Sequence, residues 1–87
     1  MTTEDVVAEL KDRIENLLVN PPRPVDWAEP FEDLIDSESF TMVLEWINDA
    51  VENLTGAPFH TPDEAAEFLG NLAEVRKYIL SVTSERA

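Results

Sequence analysis

The sequence contains no cysteine, only one histidine (His60) and only two glycines. Without cysteine the chain can form neither a disulfide framework nor a thiolate metal site, and one histidine is too few for a zinc site. Two scattered glycines do not make a loop that cradles phosphate. There is also no apolar run of membrane-spanning length, and the acidic start Met1–Asp5 is unlike a secretory signal, so we expect a cytoplasmic protein.

Basic residues are scarce as well. Six of them stand against nineteen acidic residues, which gives a formal charge of −13 over 87 residues. This balance argues against nucleic acid and anionic membranes as partners, because both are bound mainly through lysine and arginine. It favours basic protein partners, which the field of the whole molecule would attract, although charge of this size also serves plain solubility.

The spacing of apolar residues predicts a single all-α domain over residues 1–87. An apolar fraction of 44% is enough for one small core. We expect a small four-helix bundle with helices over about 4–19, 37–54, 62–69 and 71–83. Three prolines within residues 21–24 end the first helix and open a long connection to the second.

Several details of these helices are predicted from the same pattern. Leu17 of the first helix and Phe68 of the short third helix are expected to face the core, and residues 84–87 to fray. Gly56 is expected just beyond the end of the second helix. Three polar residues are expected to cap helices: Thr3, Thr61 (in a capping box with Glu64) and Asn71. Five apolar residues should anchor the long connection: Val25, Trp27, Phe31, Leu34 and Ile35.

The chain is organised around Asp36-Ser37, where this connection meets the second helix. Either residue can cap the helix by accepting a hydrogen bond from an N–H of its first turn. If Asp36 is the cap, Ser37 occupies the first helical position with its hydroxyl toward water. A phosphate attached there would be favoured by the helix N-terminus. By itself, however, an Asp-Ser pair is most often only a cap.

The outer face of the second helix is predicted to be acidic. Glu38, Glu45, Asp49 and Glu52 fall together on it at helical spacing, and Met42 and Trp46 border them. An acidic strip edged with large apolar side chains beside an exposed serine resembles a docking surface. The competing interpretation is a solvated face with two loosely packed residues. The residues expected to contact partners are Glu38, Thr41, Met42, Glu45, Trp46 and Asp49.

No catalytic set is evident in the sequence. A hydrolytic triad needs a base near a nucleophile, and His60 stands among apolar and cap-forming residues. Asp33, Asp36 and Glu38 do not have the spacing of a calcium loop. Paired carboxylates for acid–base catalysis remain possible in so acidic a chain, but nothing singles out a pair. We expect no enzymatic activity and no metal.

The order of these features resembles the acyl carrier protein family, and most closely its freestanding aminoacyl and D-alanyl carriers. The similarity includes the length, the long connection leading to Asp-Ser, the motif Leu34-Ile35-Asp36-Ser37-x-Ser39-Phe40, and the late segment from Glu67 to Ile79. It covers about residues 6–82.

The resemblance implies a 4′-phosphopantetheine arm attached covalently to Ser37, with Asp36 in a supporting role. The cargo would be an acyl or aminoacyl group held as a thioester. The implied partners are a phosphopantetheinyl transferase, an adenylate-forming ligase and a downstream acyltransferase or condensing enzyme, all acting on a monomeric carrier. Glu38 departs from the apolar residue that usually follows the serine in this family.

Two alternatives compete with the carrier interpretation. The first is an acidic interaction module, of the inhibitor or immunity type, that covers the basic site of a partner enzyme. Its charge and small helical fold suit that role, but it would have no need of an exposed Asp36-Ser37. The second is a carrier homologue that has lost its modification, which Glu38 keeps open.

Overall fold

The computed structural model describes residues 2–86, and the side chains of residues 2–84, and within that range every element is helical. The elements are α1 (Thr3–Arg13, continued by a π-helical turn over Ile14–Leu18), α2 (Phe31–Leu34), α3 (Ser37–Thr55), α4 (Asp63–Ala66) and α5 (Leu72–Arg86). The predicted all-α class is confirmed. Helices α1, α3 and α5 pack against one another around one apolar core, while α2 and α4 are single turns within the connections. None of these helices is long and apolar enough to cross a membrane.

Helix α1 begins one residue earlier than the sequence suggests, so the expectation that Thr3 caps it is wrong. Thr2 is the cap, because its hydroxyl accepts a hydrogen bond from the Asp5 N–H at 3.2 Å. The Asp5 carboxylate in turn accepts a bond from the Thr2 N–H at 3.1 Å, which completes a capping box.

The expectation that Leu17 faces the core is also wrong, because Leu17, near the end of the first helix, is 69% exposed. The chain widens there into a π-helical turn, in which the Val19 N–H donates to the Ile14 carbonyl, five residues back. Each residue of such a turn advances by a smaller angle than in an α-helix. The turn therefore carries Leu17 outward and leaves Val19 buried.

Helix α3 is the longest helix and follows the prediction closely. Val43, Ile47 and Val51 are fully buried, and the rest of the predicted stripe (Phe40, Leu44 and Leu54) packs against the core while half-buried. Gly56 ends the helix with a φ of 74°, a left-handed conformation that glycine adopts without strain.

The connection between α1 and α3 is held down by its apolar anchors. Val25 and Phe31 are buried, and Leu34 and Ile35 are half-buried against the core. The sequence did not indicate that residues from Phe31 onward form the short helix α2. The expectation that Trp27 is a fifth anchor is wrong: it is 40% exposed, and the Lys11 ammonium lies 5.9 Å from its ring centroid.

The third helix is shorter than predicted. It spans Asp63–Ala66 rather than 62–69, and its capping residue, Pro62, supplies no side-chain hydrogen bond. The expected capping box of Thr61 and Glu64 is therefore wrong: Thr61 is buried, and its N–H and hydroxyl both donate to the Asn48 side-chain oxygen, at 2.8 and 2.6 Å. Because the chain leaves the helix as a turn after Ala66, Phe68 is 72% exposed instead of facing inward.

Replacing Asn48 with alanine is expected to lower the free energy of unfolding by about 2–4 kcal/mol. The change leaves two buried donors of Thr61 without their acceptor, and it also releases the segment that leads into α4 from α3. Urea unfolding would measure the loss, with Asn53→Ala as the control, because Asn53 is an exposed asparagine of the same helix. Equal losses in the two variants would contradict the role given to Asn48.

Helix α5 begins as predicted, with the Asn71 side chain accepting a hydrogen bond from the Glu74 N–H at 2.9 Å. Leu72, Val75 and Ile79 are completely buried. The helix continues to Arg86, beyond the end predicted at about residue 83, and the fraying expected from residue 84 stays a prediction. Ala87, which belongs to the same expectation, lies outside the described residues.

Candidate functional site

Ser37 is the first residue of α3, and its side chain is exposed. Of the two candidate caps, Asp36 is the one used: its carboxylate accepts a hydrogen bond from the Ser39 N–H at 2.8 Å. The Ser37 hydroxyl is therefore not needed for the cap. An exposed hydroxyl at the positive end of a 19-residue helix is well placed to carry a phosphate ester.

The backbone before Ser37 is fixed from both sides. The Phe31 N–H donates to the Gly70 carbonyl at 2.8 Å, and the Ile35 N–H donates to the Phe31 carbonyl at 2.9 Å. The Phe31 ring also packs against the Phe40 ring, with 5.9 Å between their centroids and 49° between their planes. These contacts join α2, the start of α3 and the segment before α5 into one support for Ser37.

A groove of about 460 Å³ opens directly beside Ser37. We call it the Ser37 groove. Its apolar lining comes from two segments of the chain: Phe31, Ile35 and Phe40 from the first, and Ala66 and Leu69 from the second. The other lining residues are exposed: Glu32, Asp36, Ser37, Glu67 and Gly70. Sequence reasoning missed this groove, because its two sides are about thirty residues apart in the chain.

The charge around the groove is of one sign. No lysine or arginine occurs between Pro24 and Val75, a stretch of 52 residues that holds 13 of the 19 acidic ones. The stretch includes α2, α3 and α4, and it also includes every residue that lines the Ser37 groove. This asymmetry is visible in the sequence, and counting basic residues by segment would have found it.

Most of the residues expected to contact partners are exposed in the structure, but one of them is not. Glu38, Thr41, Met42, Glu45 and Asp49 are exposed, and Met42 presents 44% of its surface. Trp46, by contrast, is half-buried against the core, and the Arg13 guanidinium lies 5.9 Å from its ring centroid. Glu52, expected on the same strip, accepts a hydrogen bond from the Phe59 N–H at 3.1 Å and so helps to hold the next connection.

Hydrogen bonds from the backbone and side chain of Ser39 hold the pKa of Asp36 below its usual range. A depressed carboxyl pKa stabilises the fold above the unfolded-state value of about 4, and the stabilisation disappears as the pH falls through the lower folded-state value. We therefore expect Asp36→Asn to be less stable than the parent protein at pH 7, with the difference shrinking below about pH 4. Thermal unfolding from pH 7 to 3 measures this difference in stability. A difference that stays constant over this range would contradict a lowered pKa of Asp36.

The other candidates for chemistry gain no support from the described residues. His60 is exposed, and no group of three or more histidine, aspartate or glutamate side chains in residues 2–84 is arranged to hold a metal ion.

Comparison with known proteins gives no relative from which a function could be transferred. No protein-family model matches the chain. No curated protein and no solved structure matches it at a significant level. The case for a function therefore rests on the Ser37 site and its surroundings.

Proposed function

We propose that the protein is a freestanding carrier of the acyl-carrier type. It would hold an acyl or aminoacyl group as a thioester on a 4′-phosphopantetheine arm attached to Ser37. The observation that carries the proposal is an exposed serine at the first position of a long helix, capped by its neighbour Asp36 and bordered by an apolar groove. The resemblance of the Leu34–Phe40 motif to carrier proteins supports the same assignment.

The residues at this site fit the arm. The Ser37 side chain is exposed, and the first turn of α3 favours a phosphate. In the attachment reaction, Ser37 Oγ would form a phosphodiester with the pantetheine phosphate of coenzyme A. The pyrophosphate bond would break with adenosine 3′,5′-bisphosphate as the leaving group, and a base of the separate transferase would take up the hydroxyl proton. The arm ends in a thiol, the group that thioester chemistry requires and that this cysteine-free sequence lacks.

The partner enzymes would act in trans and would approach an acidic surface. Glu38, Glu45 and Asp49 are exposed along α3, and Met42 lies among them as an apolar contact. No basic residue between Pro24 and Val75 offsets this charge, so a partner with a basic docking site would be attracted. Trp46 would contribute only at the edge of this surface, since Arg13 covers part of its ring.

The proposal is tested by the intact mass of the protein after incubation with a broad-specificity phosphopantetheinyl transferase, magnesium and coenzyme A. One added phosphopantetheine group is expected. No addition, under conditions that fully modify a known carrier, would count against it and favour the acidic inhibitor interpretation. A tight complex with a basic enzyme that persists in Ser37→Ala would then support that alternative.

A further inference from the structure

The Ser37 groove has an apolar interior and a charged edge. Phe31 and Leu69 are buried in it, and Ile35, Phe40 and Ala66 are half-buried. A volume of about 460 Å³ lies within the range of pockets that take small ligands. The groove can thus accept an apolar group about the size of a large side chain, together with part of the arm to which that group is attached.

The edge of the groove carries three carboxylates, from Glu32, Asp36 and Glu67. All three residues are exposed. The pKa of Asp36 lies below its usual range, so this carboxylate is charged at neutral pH. A ligand in the groove therefore meets negative charge on both sides, from α2 and the start of α3 on one side and from the turn after α4 on the other.

No described cation offsets these carboxylates. Lys11, Arg13 and Arg76 of the long helices are paired with Glu15, Glu9 and Glu4. Arg23 is paired with Glu29 in the long connection. Lys77 lines a different groove, together with Phe68 and Tyr78. Among the side chains of residues 2–84, those that line the Ser37 groove include no lysine, arginine or histidine.

These carboxylates would make the affinity for a ligand depend on the sign of the ligand's charge. A carboxylate would be repelled by three like charges, whereas an ammonium group would be attracted by all three. The half-buried ring of Phe40, which packs against that of Phe31, adds aromatic surface, to which a cation is also attracted. The apolar interior, in turn, favours an apolar body behind the charged group.

We propose that the Ser37 groove selects an apolar group bearing an ammonium, so that the cargo is an apolar aminoacyl group and not an acyl group with a free carboxylate. Glu32 and Glu67 are the residues that set this preference. The inference about cargo rests on the proposed carrier function, whereas the charge preference of the groove is a property of the unmodified protein and can be measured separately.

The first measurement titrates the unmodified, ¹⁵N-labelled protein with octylamine, 1-octanol and octanoate, which share one apolar tail and differ in charge. Chemical shifts of groove amides such as Ile35, Phe40 and Gly70 report binding at this place. We expect octylamine to bind roughly fivefold more tightly than octanol, and octanoate to bind most weakly. Equal affinity for the three ligands, or shifts confined to other parts of the protein, would overturn the proposal.

A matched pair of double variants separates the groove from the net charge. E32Q/E67Q removes two carboxylates that line the groove, and D33N/E64Q removes two exposed neighbours that do not. Both variants change the formal charge by the same amount. The preference for octylamine over octanol should fall to within about twofold in E32Q/E67Q and persist in D33N/E64Q. If both variants lost the preference for octylamine equally, the preference would come from the net charge of the protein and not from the groove, and the proposal would be overturned.

The second measurement concerns the cargo itself. The arm is attached to Ser37 as stable amide analogues that end in a leucyl group or in a succinyl group, and the melting temperatures of the two products are compared. The leucyl product should be the more stable, and E32Q/E67Q should remove the difference. Equal melting temperatures would overturn the cargo assignment. If no analogue can be attached, the carrier function itself fails, although the titration with free ligands still reports on the groove.

Discussion

Ser37→Ala is expected to abolish the uptake of a phosphopantetheine group, taking the protein from complete modification to none. Alanine has no oxygen with which to form the phosphate ester. The fold should survive the change, because the α3 cap is made by the Asp36 carboxylate and the Ser39 N–H and does not use the Ser37 hydroxyl. The free energy of unfolding should therefore change by no more than about 0.5 kcal/mol, as is usual for an exposed position.

Ser39→Ala is the matched control for this experiment. It removes a second hydroxyl from the same helical turn, and with it the side-chain hydrogen bond to Asp36, but keeps the backbone N–H that binds Asp36. Intact mass spectrometry should find Ser39→Ala fully modified and Ser37→Ala unmodified under the same conditions. Uptake by Ser37→Ala would show that another hydroxyl is the acceptor and would contradict the assignment of Ser37.

The parts of the fold that depend on local pattern could be predicted from the sequence. The stripe that includes Val43, Ile47 and Val51 faces the core as its spacing indicates, and Gly56 ends α3 in the left-handed conformation expected of it. The choice between Asp36 and Ser37 as cap required coordinates, because both residue types can accept the same N–H.

Two of the incorrect predictions concern residues whose local pattern is overruled by the structure around them. Thr61 has the sequence of a capping residue, but Asn48, thirteen residues earlier, accepts both of its donors. Leu17 fits the apolar period of α1 until the π-helical turn changes the angle between residues. In each case a tertiary contact or a change of helix type outweighs the local preference.

The candidate site, too, could be predicted from the sequence only in part. The exposed serine at a helix start was predictable from the residues around it. The Ser37 groove was not, since it forms only where the Phe31 N–H binds the Gly70 carbonyl and brings two distant segments together. The charge preference that we infer follows from which acidic residues happen to line that groove, so it depends on tertiary structure even though the excess of acid is plain in the sequence.

Phe31→Ala is expected to be the most destabilising of the substitutions considered, with a loss of about 3–5 kcal/mol in the free energy of unfolding. Phe31 is 3% exposed, and its ring packs against that of Phe40. A domain of this size has a total stability of only about 4–13 kcal/mol, so the variant could lose most of its folded population. Phe31→Leu, which keeps most of the apolar volume, should cost about 1.5 kcal/mol and remain measurable by urea unfolding.

Phe68→Ala removes the same atoms from a residue that is 72% exposed, and it should change stability by no more than about 0.5 kcal/mol. The comparison isolates burial, because the two substitutions are chemically identical. It also decides between two arrangements of residues 62–69, since the apolar period alone predicts a longer helix with Phe68 inward. A loss in Phe68→Ala as large as that in Phe31→Ala would favour the longer helix, and with it a different wall for the Ser37 groove, because Ala66 and Leu69 on either side of Phe68 would be repositioned.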